Sequence, residues 1–176
     1  CLNGHLADYI PSYLLSAMCF IGAGYHCDQS VKEIYRASAY SVITEDTPLT
    51  GFKVQGMLLM AIVDHAHGNE TRAYQTLQTA MKLAIDIGMN RPVFASTFSY
   101  GSCVFEESWR RTYWELFVVS GLMTAMGGGN PSDLHDLTLD DLSLPCEEAT
   151  YSRVEVCLFQ LKYTRGIFTN PRSQFH

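Results

Sequence analysis

The sequence predicts an all-α single domain, an irregular bundle of antiparallel helical hairpins, on three observations. Apolar residues recur at three- and four-residue intervals almost throughout, alternation at period two never persists over a strand's length, and glycine or proline punctuates the periodic runs. The first helix is expected over residues 11–22, with Pro11 in the first turn, where its missing N–H costs nothing, and Gly22 or Gly24 ending it. Asp28 stands where it can cap a second helix, whose Val31, Ile34, Tyr35, Ser38 and Val42 recur at three and four.

Thr47 and Pro48 open a third helix, expected over residues 48–67. Its Met57, Leu58, Leu59, Met60, Ala61, Ile62 and Val63 are consecutive apolar residues, which makes it greasy on every side and the buried centre of the fold. Gly68 and Asn69 form a tight break. A fourth helix follows over residues 70–87, with Ala73, Leu77, Ala80, Met81, Ala84 and Ile87 on one stripe, and Gly88 stops it. Two helices joined by so short a turn are antiparallel neighbours, so the stripe lies on the greasy helix.

Residues 90–103 break the period with Pro92, Gly101 and hydroxyl residues between aromatics, and read as a loop. A fifth helix over residues 105–126 carries Trp109, Tyr113, Trp114, Phe117, Val118, Leu122 and Met126. Glu106 with Arg110, Glu107 with Arg111 and Arg111 with Glu115 are i,i+4 pairs, each worth about 0.2–0.5 kcal/mol on an exposed face. Gly127, Gly128, Gly129, Asn130 and Pro131 stop this helix. Residues 133–145 are acidic and leucine-spaced, a surface segment, and a last helix over 152–168 precedes a tail.

The 176 residues carry 12 Lys and Arg against 18 Asp and Glu, a net charge of −6, with 47% hydrophobic and 17% charged residues. That composition has the apolar surface to offset ordering entropy, unlike a disordered chain. The negative balance, with no basic run, argues against non-specific binding of nucleic acid by these residues, since that affinity comes from cations displacing counterions. Cys1 at the start reads as a piece of a longer protein, and no basic n-region precedes an apolar run as a secretory signal would require. Residues 14–24 are too short to span a bilayer, and 116–132 are interrupted by Gly121, Gly127, Gly128, Gly129 and Pro131, so no transmembrane helix is expected. The six cysteines, Cys1, Cys19, Cys27, Cys103, Cys146 and Cys157, include no CxxC and are read mostly as buried thiols.

Few residues form a chemical constellation. His65 and His67 sit about 200° apart on a helix and cannot share one metal. Cys19, His26 and Cys27 match no zinc spacing, and Gly127 to Gly129 follow a helix rather than precede one, so the dipole is wrong for an anion. Asp136, Asp140 and Asp141 have no nucleophile or histidine placed opposite, so no catalytic or metal-binding residue is assigned. Two readings stay open for Trp109, Tyr113 and Trp114: core, the commoner fate of such a stripe, or the lining of a ligand cavity in which Arg110 and Arg111 anchor a carboxylate.

Three motifs carry a family resemblance. Gly68-Asn69 followed by Thr71-Arg72-Ala73-Tyr74 and by the run from Ala80 through Gly88 to Arg91 is the first. The second is Glu106-Glu107-Ser108-Trp109-Arg110-Arg111-Thr112-Tyr113-Trp114-Glu115-Leu116-Phe117, and the third is Asp140-Asp141-Leu142-Ser143-Leu144-Pro145. In order and spacing the chain resembles the fungal-specific transcription factor domain, the middle homology region of fungal regulators with a binuclear zinc cluster. On that resemblance residues 47–145 are the domain's core, 1–46 its N-terminal helical hairpin, and 146–176 a truncated C-terminal helix and tail. Ser120-Gly121 stands where the family usually has an Asp-Arg pair, and Gly128-Gly129-Asn130-Pro131 replaces a Gly-Arg-Pro.

The resemblance implies a regulatory, non-enzymatic region of a nuclear transcription factor, one that passes effector or inhibitor status to separate DNA-binding and activating segments. A small-molecule effector, a regulatory protein or a second copy are its candidate partners. Zinc and DNA belong, on this view, to a cysteine-rich N-terminal module that these residues lack, so no cofactor is expected in this chain. Physical roles follow for the matched positions: Ala73 and Ala84 allow close helix approach, Trp114 fills a groove between neighbours, and Arg91 meets the last carbonyls of the fourth helix. A helical-repeat scaffold is the alternative, although the helix-ending Gly24, Gly68 and Gly88 show no constant period, and a helical enzyme with a buried site is the third reading.

Overall fold

The computed structural model describes residues 10–26, 28–44, 46–128 and 142–151. Its helices are α1 (Ser12–His26), α2 (Gln29–Val42), α3 (Gly51–Ala66), α4 (Glu70–Asp86), α5 (Pro92–Thr97) and α6 (Cys103–Met123), the last continuing as a π turn over Thr124–Gly128. The described residues include no strand, as the periodicity implies.

The α3–α4 hairpin is the centre. Its turn is closed by backbone chemistry: Gly68 adopts φ +76, its amide donates to the His65 carbonyl (3.0 Å), and the Asn69 amide donates to the Asp64 carbonyl (2.8 Å). The end of α4 repeats the arrangement, with Gly88 at φ +77 bonded to Ile85 and Met89 to Ala84. These are Schellman caps, which need a left-handed residue that glycine supplies without a Cβ penalty. Ala73, Ala80 and Ala84 of α4 are fully buried, letting the hairpin close tightly around Val54, Leu58 and Ala61 of α3. Helix α6 packs on both, adding Trp109, Tyr113, Leu116, Val119 and Met123 to the same core. The α1–α2 hairpin lies on α3 through a smaller cluster of Ala17, Phe20, Ala39 and Met60.

Several boundaries differ from those read in the sequence. Helix α1 runs through Gly22 and Gly24 to His26: the buried Phe20 and Ala23 carry its packed face past Gly22, and a glycine in a helix costs only about 1 kcal/mol. Asp28 holds the N-cap position of α2 without a side-chain cap bond. Helix α3 starts at Gly51, not at residue 48: the Thr47 hydroxyl donates to the Val42 carbonyl (2.9 Å), and the buried Lys53 ammonium donates to the carbonyls of Thr44 (2.8 Å) and Thr47 (3.1 Å). Those bonds hold residues 46–50 outside the helix. The expected loop over 90–103 contains α5, started by Pro92 and anchored by buried Phe94 and Ala95.

Helix α6 begins at Cys103, where the Ser102 hydroxyl accepts from the Phe105 amide, and its helical turns persist through Gly127 and Gly128. Its apolar stripe is narrower than expected, since Val118, Leu122 and Met126 are exposed. The thiols are not generally buried: Cys19 and Cys103 are exposed and Cys146 is half-buried. Cys1, Cys27 and Cys157, Gly129 to Asp141, and the expected helix over 152–168 with its tail lie outside the described residues. No helix among the described residues is long and apolar enough to cross a membrane.

Nor is α3 buried on every side, for Leu59 is half-buried and Ile62 is exposed. Val54, with no exposed surface, is a true core position. Val54→Asp should abolish the cooperative thermal transition, because an unpaired carboxylate there costs several kcal/mol, roughly the net stability of a domain. Leu59→Asp should retain a transition at lower temperature. Circular dichroism melting of both variants checks the difference, and equal melting would show that the core is misplaced.

Candidate functional site

Where α1, α3 and α6 meet they leave an open groove of about 620 Å³. Its walls are Leu14, Met18, Ile21 and Gly22 of α1 and Ser108, Arg111, Thr112 and Glu115 of α6; Gln55, Leu58 and Leu59 of α3 form the floor, and Tyr151 stands at one end. The spacing on each helix explains the shape, since residues at three- and four-residue steps share a face. The polar floor is internally satisfied: the Gln55 amide donates to Ser108 Oγ (3.1 Å) and Thr112 Oγ1 (2.8 Å). What remains facing outward is apolar surface bordered by Arg111 and Glu115. Among the described residues the groove lining includes no histidine or cysteine.

One end of the groove is built by a polar staple between α6 and the segment from Leu142. Glu107, 5% exposed, accepts from the Cys146 amide (2.7 Å) and from Arg111 Nε (3.2 Å), and is paired with Arg110. Arg111 also donates to the Cys146 carbonyl (2.9 Å), pairs with Glu148, and lies 4.3 Å from the centre of the Tyr151 ring. The Trp114 indole donates to the Ser143 carbonyl (2.9 Å), and Leu142 is buried in the main core. Burial by itself would raise the Glu107 pKa, but the Cys146 amide, the Arg111 hydrogen bond and the Arg110 charge outweigh it and hold the carboxyl below its ordinary 4.5.

A second polar cluster ties three helices together. Asp64, 1% exposed near the end of α3, accepts from Arg72 Nε (2.8 Å) and Nη2 (2.6 Å) of α4 and from the Tyr40 hydroxyl of α2. The guanidinium carbon lies 4.8 Å from the Tyr40 ring centre. Burial first, and then the bond to the Asp64 carboxylate, push the Tyr40 phenol above its ordinary range. A cavity of about 210 Å³ lies beside this cluster, between α2, α3 and α4.

Of the five residues read as a ligand site, the groove gathers only Arg111. Trp109 is 3% exposed, packs edge-on to Phe52 (4.7 Å between centroids) and donates to the Phe98 carbonyl (2.9 Å). Its ring also explains Gly51, where any Cβ would stand 2.8 Å from Trp109 Cζ3. Tyr113 is fully buried, which pushes its phenol up to about 12. Arg110 binds Glu106 (3.3 Å) and Glu107, and Trp114 belongs to the staple. Arg111 pairs with Glu148 rather than with Glu115.

The motif positions fare variously. Gly68, Asn69 and Gly88 form the caps, Arg72 holds Asp64, and Ala73 is buried. Arg91 does not meet the last carbonyls of α4, because the Gly88 and Met89 amides already occupy the Ile85 and Ala84 carbonyls; Arg91 is exposed and its own amide bonds Gly88. Leu144 is 71% exposed, Pro145 half-buried, and Asp140 lies outside the described residues. Ser120 is buried with its hydroxyl on the Met81 sulfur (2.9 Å), a place without room for a charged pair. Among the described residues, no group of three or more His, Cys, Asp and Glu could hold a metal, so they do not fit a zinc cluster. Sequence reasoning missed Asp64, Tyr40, Lys53 and Gln55. Asp64 alone carried a signal, a carboxylate closing an apolar run one turn before a glycine break.

Among the described residues this is an all-helical domain with an open groove between three of its helices. The chain belongs to the family of the fungal specific transcription factor domain, whose model matches residues 2–160. A particular relative is the C6 finger domain transcription factor iacK of Pestalotiopsis fici, 35% identical over 166 residues, which are 93% of this chain and 25% of that protein. The chain thus spans about a quarter of the length of the relative it matches. No solved structure matches.

The depressed Glu107 carboxyl gives a pH dependence of known sign. Its contribution is full above pH 4.5 and is lost as pH falls through the lower folded value. Glu107→Gln should therefore lower stability at pH 7 by about 1–2 kcal/mol and flatten the acid limb of the stability curve. Urea titrations of both proteins on either side of pH 4.5 check this; parallel acid limbs would remove Glu107 from the staple.

Proposed function

We propose that this chain is the effector-responsive, inhibitory region of a larger nuclear zinc-cluster transcription factor, and that the groove between α1, α3 and α6 is the surface on which the response acts. Family membership supports the regulatory class, and the observation that carries the finer reading is the groove itself. It is apolar, of a size suited to a small ligand or a helix, and bordered by an arginine and a glutamate. In this reading DNA and zinc are handled by a separate cysteine-rich module; the relative from Pestalotiopsis fici is named a C6 finger domain transcription factor. The partner on the groove is a small-molecule effector or a regulatory protein, with no reaction catalysed.

Gly22 offers a clean test. A Cβ built there meets nothing within 4 Å, so Gly22→Leu fills the groove while relieving a helix of a glycine, a gain of about 0.8 kcal/mol. In the full-length regulator this variant should keep promoter occupancy, measured by chromatin immunoprecipitation, and lose the difference between induced and uninduced reporter output. A reporter ratio unchanged from wild type would take the response away from this groove.

A further inference from the structure

The helices that wall the groove carry further apolar side chains that are exposed among the described residues. On α6 the step that carries Ser108, Thr112 and Glu115 goes on to Val118 and Leu122, exposed by 48% and 58%. Across the groove, Met18 of α1 is 40% exposed and Ile62 of α3 36%. An open groove of this volume between helices, with exposed apolar side chains on the helices that wall it, has the chemistry that an amphipathic helix fills.

We propose that the occupant is this chain's own continuation after Tyr151, docked along the groove by an apolar helix face. Connectivity is the first argument. Tyr151 itself lines the groove, held there against Arg111, so the residues that follow start at its end with no linker to cross. Sequence is the second: Val154, Cys157, Leu158 and Leu161 recur at three and four residues, the spacing of one helical face. Extent is the third, because the family match runs on to residue 160 and thus includes most of that stretch in the same domain. Tethering makes docking intramolecular, so even a modest apolar face competes well against a free ligand. An effector or regulatory protein acting on this groove would then work by displacing the segment.

Methionine-methyl NMR of the full chain, with a soluble paramagnetic agent, tests this. Met18 reports the groove, while Met60 and Met81, 2% and 3% exposed, report the core. The expected result is a Met18 methyl protected from the agent in the wild-type chain at every protein concentration. In Leu158→Asp it should lose that protection while Met60 and Met81 stay protected and the variant stays folded. A Met18 methyl already accessible in the wild type, or protection unchanged by Leu158→Asp, would overturn the proposal. Protection that appears only as concentration rises would overturn it too, in favour of a second copy. The inference rests on the groove's geometry and not on effector control, so a protected Met18 beside a reporter indifferent to Gly22→Leu would retire the effector reading alone.

Discussion

A single carboxylate organises the centre of this domain. Asp64 stands near the end of the largely apolar α3, almost without solvent, and a carboxyl group there is tolerated only if its oxygens are met by fixed donors. The donors come from two other helices: the Arg72 fork from the first turn of α4 and the Tyr40 hydroxyl from α2. The Asp64 carbonyl meanwhile accepts the Asn69 amide that closes the turn. The register of the hairpin and the seating of α2 are therefore tied to satisfying one residue. The desolvation of Asp64 makes this a source of specificity more than of net stability: well-paired it selects one arrangement, and unpaired it opposes all of them.

A second polar arrangement governs the other side of the molecule. Glu107, Arg111 and Trp114 lie on α6 at three- and four-residue steps and grip the backbone of Ser143 and Cys146. The acidic, arginine-rich and aromatic positions of the second motif are thus accounted for by structure, as the means of fastening the segment of the third motif to the bundle. Because Arg111 serves both the staple and the groove wall, the position of the chain at Tyr151 and the shape of the groove are coupled through one side chain. Where the family usually carries a charged pair, this chain places Ser120 against Met81, which is compatible with a drier helix contact at that point.

Much of the fold was legible because its determinants are local. The α3–α4 hairpin follows from an apolar run, a stripe at helical period and two glycines whose left-handed backbone nothing else adopts so cheaply. Helix boundaries were less legible where tertiary contacts outweigh propensity. Gly22 is bridged by the buried face of α1, α5 exists because Phe94 and Ala95 find the core, and α3 starts late because Lys53 and Thr47 occupy the backbone ahead of it. The site was least legible. Trp109 and Tyr113 form a conspicuous stripe and turn out to be core, whereas the groove is made of ordinary residues on three helices far apart in sequence, which no local pattern marks. The pairing of Asp64 with Arg72 needs the hairpin's register before it can be seen.

The most direct test of this architecture is the coupling free energy between Asp64 and Arg72, from a double-mutant cycle of Asp64→Asn and Arg72→Met measured by urea unfolding. Arg72 is 40% exposed, so the coupling should fall below that of a fully buried pair, at about 1.5–3 kcal/mol, with the double variant little worse than either single one. A coupling under about 0.5 kcal/mol, the level of an exposed surface pair, would contradict the central place given to Asp64.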